Sequence, residues 1–108
     1  MAGMFTIDSH PTYVLFNSGA SHSFMSMRFI DRHNLPLMGI PYAYRICTVG
    51  SQMFINTCTD TVSLVLATHT YRLQFMIMPG QGIDAVLGMN WLWVYGVVLD
   101  MKRRNVEL

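Results

Sequence analysis

The chain has 108 residues, 52% of them hydrophobic and 12% charged, with a formal net charge of +1. That length fits one domain with its own core, and the charged fraction is roughly half that usual for soluble domains, so apolar surface is expected to be covered by a partner, most simply a second copy. A near-balanced charge excludes a broad field for nucleic acid or anionic lipid.

Phe5 to Ile7 and Tyr13 to Phe16 are β-prone, and Asp8-Ser9-His10-Pro11 between them has turn chemistry, since Pro11 fixes φ and offers no N–H. The second strand runs into Asn17-Ser18-Gly19-Ala20, a tight turn of small residues. From Ser23, a candidate N-cap, Phe24, Met27 and Ile30 recur at helical spacing, which predicts a short helix ending by Asn34. Tyr42 to Thr48 and Gln52 to Cys58 flank Val49-Gly50-Ser51 and predict a hairpin in which Gly50 can take positive φ. Val62, Leu64 and Leu66 alternate with Ser63 and Val65, and Tyr71, Leu73, Phe75 and Ile77 alternate with Arg72, Gln74 and Met76, so each segment offers one face to a core. After the turn Pro79-Gly80-Gln81-Gly82 comes a buried strand, Ala85-Val86-Leu87, then a short helix over Met89 to Tyr95. Val97 to Leu99 and Val106 to Leu108 close the chain around the basic turn Lys102-Arg103-Arg104. The expected architecture is mainly β with one or two short helices.

Several features have plain structural readings. The Pro79 turn precedes a strand and lacks a Lys-Ser/Thr ending, so it is not a phosphate loop. His10, His22, His33 and His69 are scattered without metal-ligand spacing, and no metal or cofactor is expected. Ser18, Ser21 and Ser23 lack a nucleophile elbow. The ten methionines serve as core or interface filler, with an adaptable binding surface as the alternative. Cys47 and Cys58 can face each other across a hairpin, but free thiols in a reducing compartment are the expectation. The apolar run between Asp84 and Asp100 is interrupted by Gly88, Asn90 and Gly96 and is too short for a membrane helix, and no signal peptide is visible, so an intracellular, cytoplasmic protein is expected.

The Asn17 turn does not stand alone. Residues 14 to 24, Val-Leu-Phe-Asn-Ser-Gly-Ala-Ser-His-Ser-Phe, resemble the active-site motif of retropepsin-like aspartic proteases, most closely those of plant gypsy-type LTR retrotransposons, typically V-L-F-D-S-G-A-S/T-H-S-F. Gly82-Ile83-Asp84-Ala85-Val86-Leu87-Gly88-Met89-Asn90-Trp91-Leu92 is similar to the second signature of that family, usually ending L-G-M-D-W-L. Gly3 to Ile7 resembles the opening strand, Val49-Gly50-Ser51 falls where the flap hairpin lies, and Val97 to Asp100 resembles the closing strand, so the likeness spans nearly the whole chain, 1–108, as one domain.

The resemblance implies a closed, mostly antiparallel β-barrel completed as a homodimer, with one D-S/T-G loop from each copy meeting at the two-fold axis beneath paired flaps. The two carboxylates would share one proton, one acting as base toward water and the other as acid toward the scissile carbonyl of a polyprotein. Carried over by position, Asn17 stands at the catalytic aspartate, with Ser18 in the hydrogen bonds beneath the dyad and Gly19 in the close backbone approach. Ala20, Val49, Gly50 and Ser51 would contact an extended peptide. The departure lies where the chemistry is: a carboxamide cannot serve as general base, so the implied protease is inactive as written. The alternative is a non-catalytic peptide-binding or dimerisation module. Asn90 also stands where the family has Asp, and Met101 where it often has Cys, which favours a naturally diverged copy over an engineered one. Trp91 and Trp93 are expected to pack in the core or dimer interface, and neither nucleic acid nor membrane is an expected partner.

Overall fold

The computed structural model describes residues 1–20, 22–48, 51–78, 82–88, 98–100 and 105–107. Among these residues eleven strands and one helix follow in order: β1 (Ala2–Ile7), β2 (His10–Phe16), β3 (Phe24–Ser26), α1 (Met27–His33), β4 (Leu37–Thr48), β5 (Ser51–Thr59), β6 (Val62–Leu66), β7 (His69–Leu73), β8 (Met76–Met78), β9 (Ala85–Leu87), β10 (Val98–Asp100) and β11 (Asn105–Glu107). Nine strands form one sheet in the order β4-β5-β8-β3-β9-β2-β1-β6-β7, and β10 pairs antiparallel with β11 in a separate ribbon. Nine strands laid flat would span roughly 38 Å at the usual ~4.8 Å spacing in a layer ~10 Å thick. The molecule measures 34 × 30 × 25 Å, so the sheet curls around its own core. The mainly β expectation holds.

β1 and β2 form a two-residue hairpin in which Asp8 (φ 47°) and Ser9 (φ 69°) both take the left-handed conformation that such a turn requires. Asp8 ties the turn to β6, its N–H donating to the Ser63 carbonyl at 2.9 Å and its Oδ1 accepting the Ser63 N–H at 2.8 Å. His10 and Pro11 therefore belong to β2 and not to the turn. Pro11 is tolerated because it pairs with Thr6, one step from the hydrogen-bonded closing pair Ile7 and His10, where its nitrogen faces away from β1. Inward side chains alternate as expected, with Ile7, Val14, Phe16, Leu64, Leu66, Ala85 and Leu87 buried in the main core.

The helix begins later than its apolar spacing predicts. Phe24–Ser26 is a strand, parallel to β8 and antiparallel to β9, because sheet pairing on both sides satisfies that backbone better than one more helical turn. Ser26, not Ser23, is the N-cap, its Oγ accepting the Phe29 N–H at 3.1 Å. Asn34 (φ 51°) ends the helix, Phe29 and Ile30 form its buried face, and Met27 is exposed.

The segment Tyr71 to Ile77 is likewise not one strand. β7 stops at Leu73 and β8 starts at Met76, so both Phe75 and Met76 are buried and strict alternation fails. The chain leaves β6 here to join β3 and β5. Thr59 bridges the gap: its N–H donates to the Phe75 carbonyl at 2.8 Å and its Oγ1 accepts the Phe75 N–H at 3.0 Å.

The hairpin predicted from Tyr42 to Cys58 is present and longer, with an irregular register between Gly39 and Tyr44, and Ser51 belongs to β5, opposite Thr48. Cys58 pairs with Met38 and Cys47 with Gln52, so the two cysteines do not oppose each other, and Cys58 is a buried free thiol. Ala85–Leu87 is the expected strand, and β10 and β11 match the expected closing pair. The expected turn at Pro79-Gly80-Gln81, the helix over Met89 to Tyr95 with Asn90, Trp91 and Trp93, and the basic turn with Met101 lie outside the described residues. No described helix is long and apolar enough to cross a membrane.

Candidate active site

β2 and β9 run parallel, and β9 lies between β2 and β3, so the connection from β2 to β3 must arc over the end of β9. The ladder extends one bond past β2, with the Asn17 N–H donating to the Leu87 carbonyl at 2.9 Å. The chain then reverses: the Ala20 N–H donates to the Asn17 carbonyl at 3.1 Å, and the Gly19 N–H donates to Asn17 Oδ1 at 2.9 Å. This is an Asx-turn, in which a short side-chain carbonyl mimics a backbone turn. A Cβ on Gly19 would lie 3.2 Å from that Oδ1, closer than ordinary packing allows.

Gly88 lies directly under the arc. A Cβ there would sit 2.2 Å from the His22 carbonyl oxygen and 2.7 Å from that of Ala20. Its N–H donates to Ser23 Oγ at 3.1 Å, and the Ser23 carbonyl accepts the Met76 N–H at 2.9 Å. Asp84 secures the other end of β9: its Oδ2 accepts the Tyr13 N–H at 2.8 Å, and its carbonyl accepts the Ser26 N–H at 2.8 Å. The turn is thus held by three strands, while Asn17, Ser18 and Gly19 remain exposed.

Of the residues singled out in the sequence, the structure brings Asn17, Ser18, Gly19 and Ala20 together in this turn, with Ala20 packed against Phe24, Ile55 and Met76. Ser51 begins β5 at the tip of the β4–β5 hairpin, and Val49, Gly50 and Ser21 lie outside the described residues. The hairpin reaches the loop through Tyr44, whose ring lies 5.3 Å from that of His22. Between them opens a cavity of about 280 Å³, lined by His22, Met38, Tyr44, Cys58, Gln74 and Met76 among others. Sequence reasoning missed this cavity, and missed Ser23 and Gly88 as the supports of the turn. Gly88 carried a signal, since a glycine closing an apolar strand often marks close backbone approach.

The turn can offer hydrogen bonds from an exposed carboxamide, with Oδ1 already committed to Gly19. It cannot offer a proton equilibrium near neutral pH. Among the described residues, no three His, Cys, Asp or Glu side chains group as a metal site. Burial pushes the Cys58 thiol pKa up, and the nearby Asp60 carboxylate adds to the effect.

The family model described as retroviral aspartyl protease matches residues 1–108. Solved structures with similar folds include two retroviral-type proteases. The retroviral protease-like domain of Ddi1 from Leishmania major has a TM-score of 0.73 and 20% identity, over 99% of this chain and 86% of that one. EIAV protease, in complex with the inhibitor HBY-793, has a TM-score of 0.74 and 18% identity, over 94% of this chain and 92% of that one. At such identities the structural likeness speaks for the retropepsin-like fold, while the match along the whole sequence carries the family: the chain is a member of the retroviral aspartyl protease family.

Proposed function

We propose that this chain is a protease-type protomer of retrotransposon origin, a diverged gypsy-type copy, that pairs with a second copy and is silent in peptide hydrolysis because Asn17 stands at the position of the catalytic aspartate. The observation that carries this reading is the exposed Asn17 carboxamide at the end of β2, in a turn pinned by Leu87 and Gly19. In a symmetric dimer two such turns would face each other. Two carboxylates there would share a proton and divide the roles of base and acid. Two carboxamides hold neither role, yet their N–H₂ and C=O groups can hydrogen-bond across the axis without charge repulsion. Pairing is therefore expected to persist with little pH dependence, and a monomer at micromolar concentration in sedimentation would contradict it.

The deciding experiment is hydrolysis of a mixed peptide library at mildly acidic pH by the chain and by Asn17→Asp, with and without pepstatin. The expected result is pepstatin-sensitive cleavage by the variant alone. Silence from both would refute the view that one residue separates this chain from activity.

A second reading, a peptide-binding module without chemistry, is favoured by the edge of the sheet. Among the described residues β4 is the edge strand of the sheet, Tyr42 and Phe54 are 75% and 69% exposed on its hairpin, and the cavity opens beside it. An extended peptide can add to such an edge as a strand. Retained binding of an extended peptide by the unmodified chain, read by calorimetry, is the result expected of this reading.

A further inference from the structure

The cavity beside the β4–β5 hairpin holds a row of sulfur atoms on three neighbouring strands. Cys58 on β5 pairs directly with Met38 on β4 and with Met76 on β8. Residues directly opposite in a ladder project to the same face with Cβ atoms about 4.5–5.5 Å apart, so the cysteine stands between two flexible thioether arms that can swing toward it. All three line the same cavity. The Gln74 side-chain N–H donates to Met38 Sδ at 3.0 Å, and Gln74 also lines the cavity, which places that sulfur at its rim. Met76 and Cys58 are 9% and 8% exposed, while Met38 is 42% exposed, an arrangement with a buried base and one exposed outer arm. The thiol is free, and its sulfur has no hydrogen-bond partner among the described residues.

We propose that Met38, Cys58 and Met76 form a binding site for a soft monovalent metal ion, Cu(I) in a reducing environment, with the Cys58 thiolate as the anionic ligand and the two thioethers as neutral ones. Soft sulfur donors select Cu(I) over the hard divalent cations, and a low coordination number suits three ligands in a row. Binding forms a Cu–S bond at Cys58 as its S–H proton leaves to solvent, with no change of oxidation state. The His22 ring lines the same cavity and offers an imidazole nitrogen for a fourth bond. Occupancy would tie β4 to β5 and β8 at the base of the hairpin, a consequence independent of any peptidase chemistry.

The test is titration with Cu(I) buffered by a chromophoric chelator under anaerobic, reducing conditions, with Ag(I) as a redox-inert check. The expected result is one ion per chain. Cys58→Ser should weaken binding by roughly 100-fold or more, because it removes the one anionic ligand. Met38→Leu and Met76→Leu should each weaken it by about tenfold, near 1.4 kcal/mol, and Cys47→Ser should leave it unchanged. Copper-edge X-ray absorption on the unmodified protein should show two or three sulfur neighbours. Wild-type affinity in a folded Cys58→Ser chain overturns the proposal, as does a single sulfur neighbour in the absorption spectrum. Should Cys58→Ser fail to fold, as judged by circular dichroism, the rim variant Met38→Leu and the absorption spectrum decide: unchanged affinity together with one sulfur neighbour reduces the site to an ordinary thiol.

Discussion

Gly88→Ala tests whether the crossing of β9 beneath the β2–β3 connection is what holds the Asn17 turn in place. The added Cβ would lie 2.2 Å from the His22 carbonyl oxygen, whereas real Cβ atoms essentially never come within 3.0 Å, so strand or loop must move by at least 3.0 − 2.2 = 0.8 Å. The obstacles are backbone atoms of His22 and Ala20, which cannot rotate away as a side chain would. The shift also draws the Gly88 N–H from Ser23 Oγ, where Ser23 is only 1% exposed. Overpacking of this kind costs about 1–3 kcal/mol. An orphaned buried N–H costs about 1–3 kcal/mol more, for an expected loss near 3 kcal/mol. At roughly 4 °C per kcal/mol for a domain of this size, Tm should fall by about 12 °C. The assay is thermal unfolding at fixed protein concentration, since association couples Tm to concentration. Gly39→Ala is the control: no atom lies within 4 Å of its Cβ, and its stability should change by less than about 0.5 kcal/mol. A fall under about 3 °C for Gly88→Ala, or equal falls for both variants, would refute the reasoning.

Three further predictions test neighbouring elements. Thr59→Val keeps the shape but strips the acceptor from the buried Phe75 N–H, and should cost about 1–3 kcal/mol in urea unfolding. An unchanged midpoint would mean that the bridge between β7 and β8 carries no weight. Ser26→Ala removes the N-cap of α1 and should cost about 1 kcal/mol, whereas Ser23→Ala should leave the helix start intact by amide exchange; the reverse ranking at the helix would show that the cap was misassigned. His33 provides a pH signature: burial, the His10 ring stacked at 3.9 Å and Arg32 lower its pKa below 6.5, with Asp84 opposing. The unfolded chain then binds the proton more readily, so the contribution of His33 is present above pH 6.5 and is lost as pH falls through the lower folded value. Tm should rise with pH across that window, and His33→Gln should flatten part of the rise; an imidazole titration midpoint above 6.5 by NMR would contradict it.

Local chemistry in the sequence determined the strands whose two faces meet different surroundings. Val62–Leu66 alternates because one face meets the core and the other meets water, and Ala85–Leu87 is uniformly apolar because Ala85 and Leu87 enter the main core while Val86 packs against the second cluster. The Asn17-Ser18-Gly19 turn was equally legible, since its hydrogen bonds run between residues two and three apart. That residue 17 carries a carboxamide and not a carboxylate is a matter of composition that no folding could alter. Tertiary structure decided the rest, wherever a backbone group found its partner far along the chain. Phe24–Ser26 carries a helical pattern but becomes a strand because β8 and β9, some 50 to 60 residues later, supply its ladder. Tyr71 to Ile77 carries one alternating pattern but breaks at Gln74 because the curled sheet transfers the chain from β6 to β3 and β5, with Thr59 satisfying the interrupted bond. The approach of Gly88 to His22 and the alignment of Met38, Cys58 and Met76 arise in the same way, from strand order and register. Side-chain period is a property of a segment, but its partner is chosen by the closure of the whole sheet.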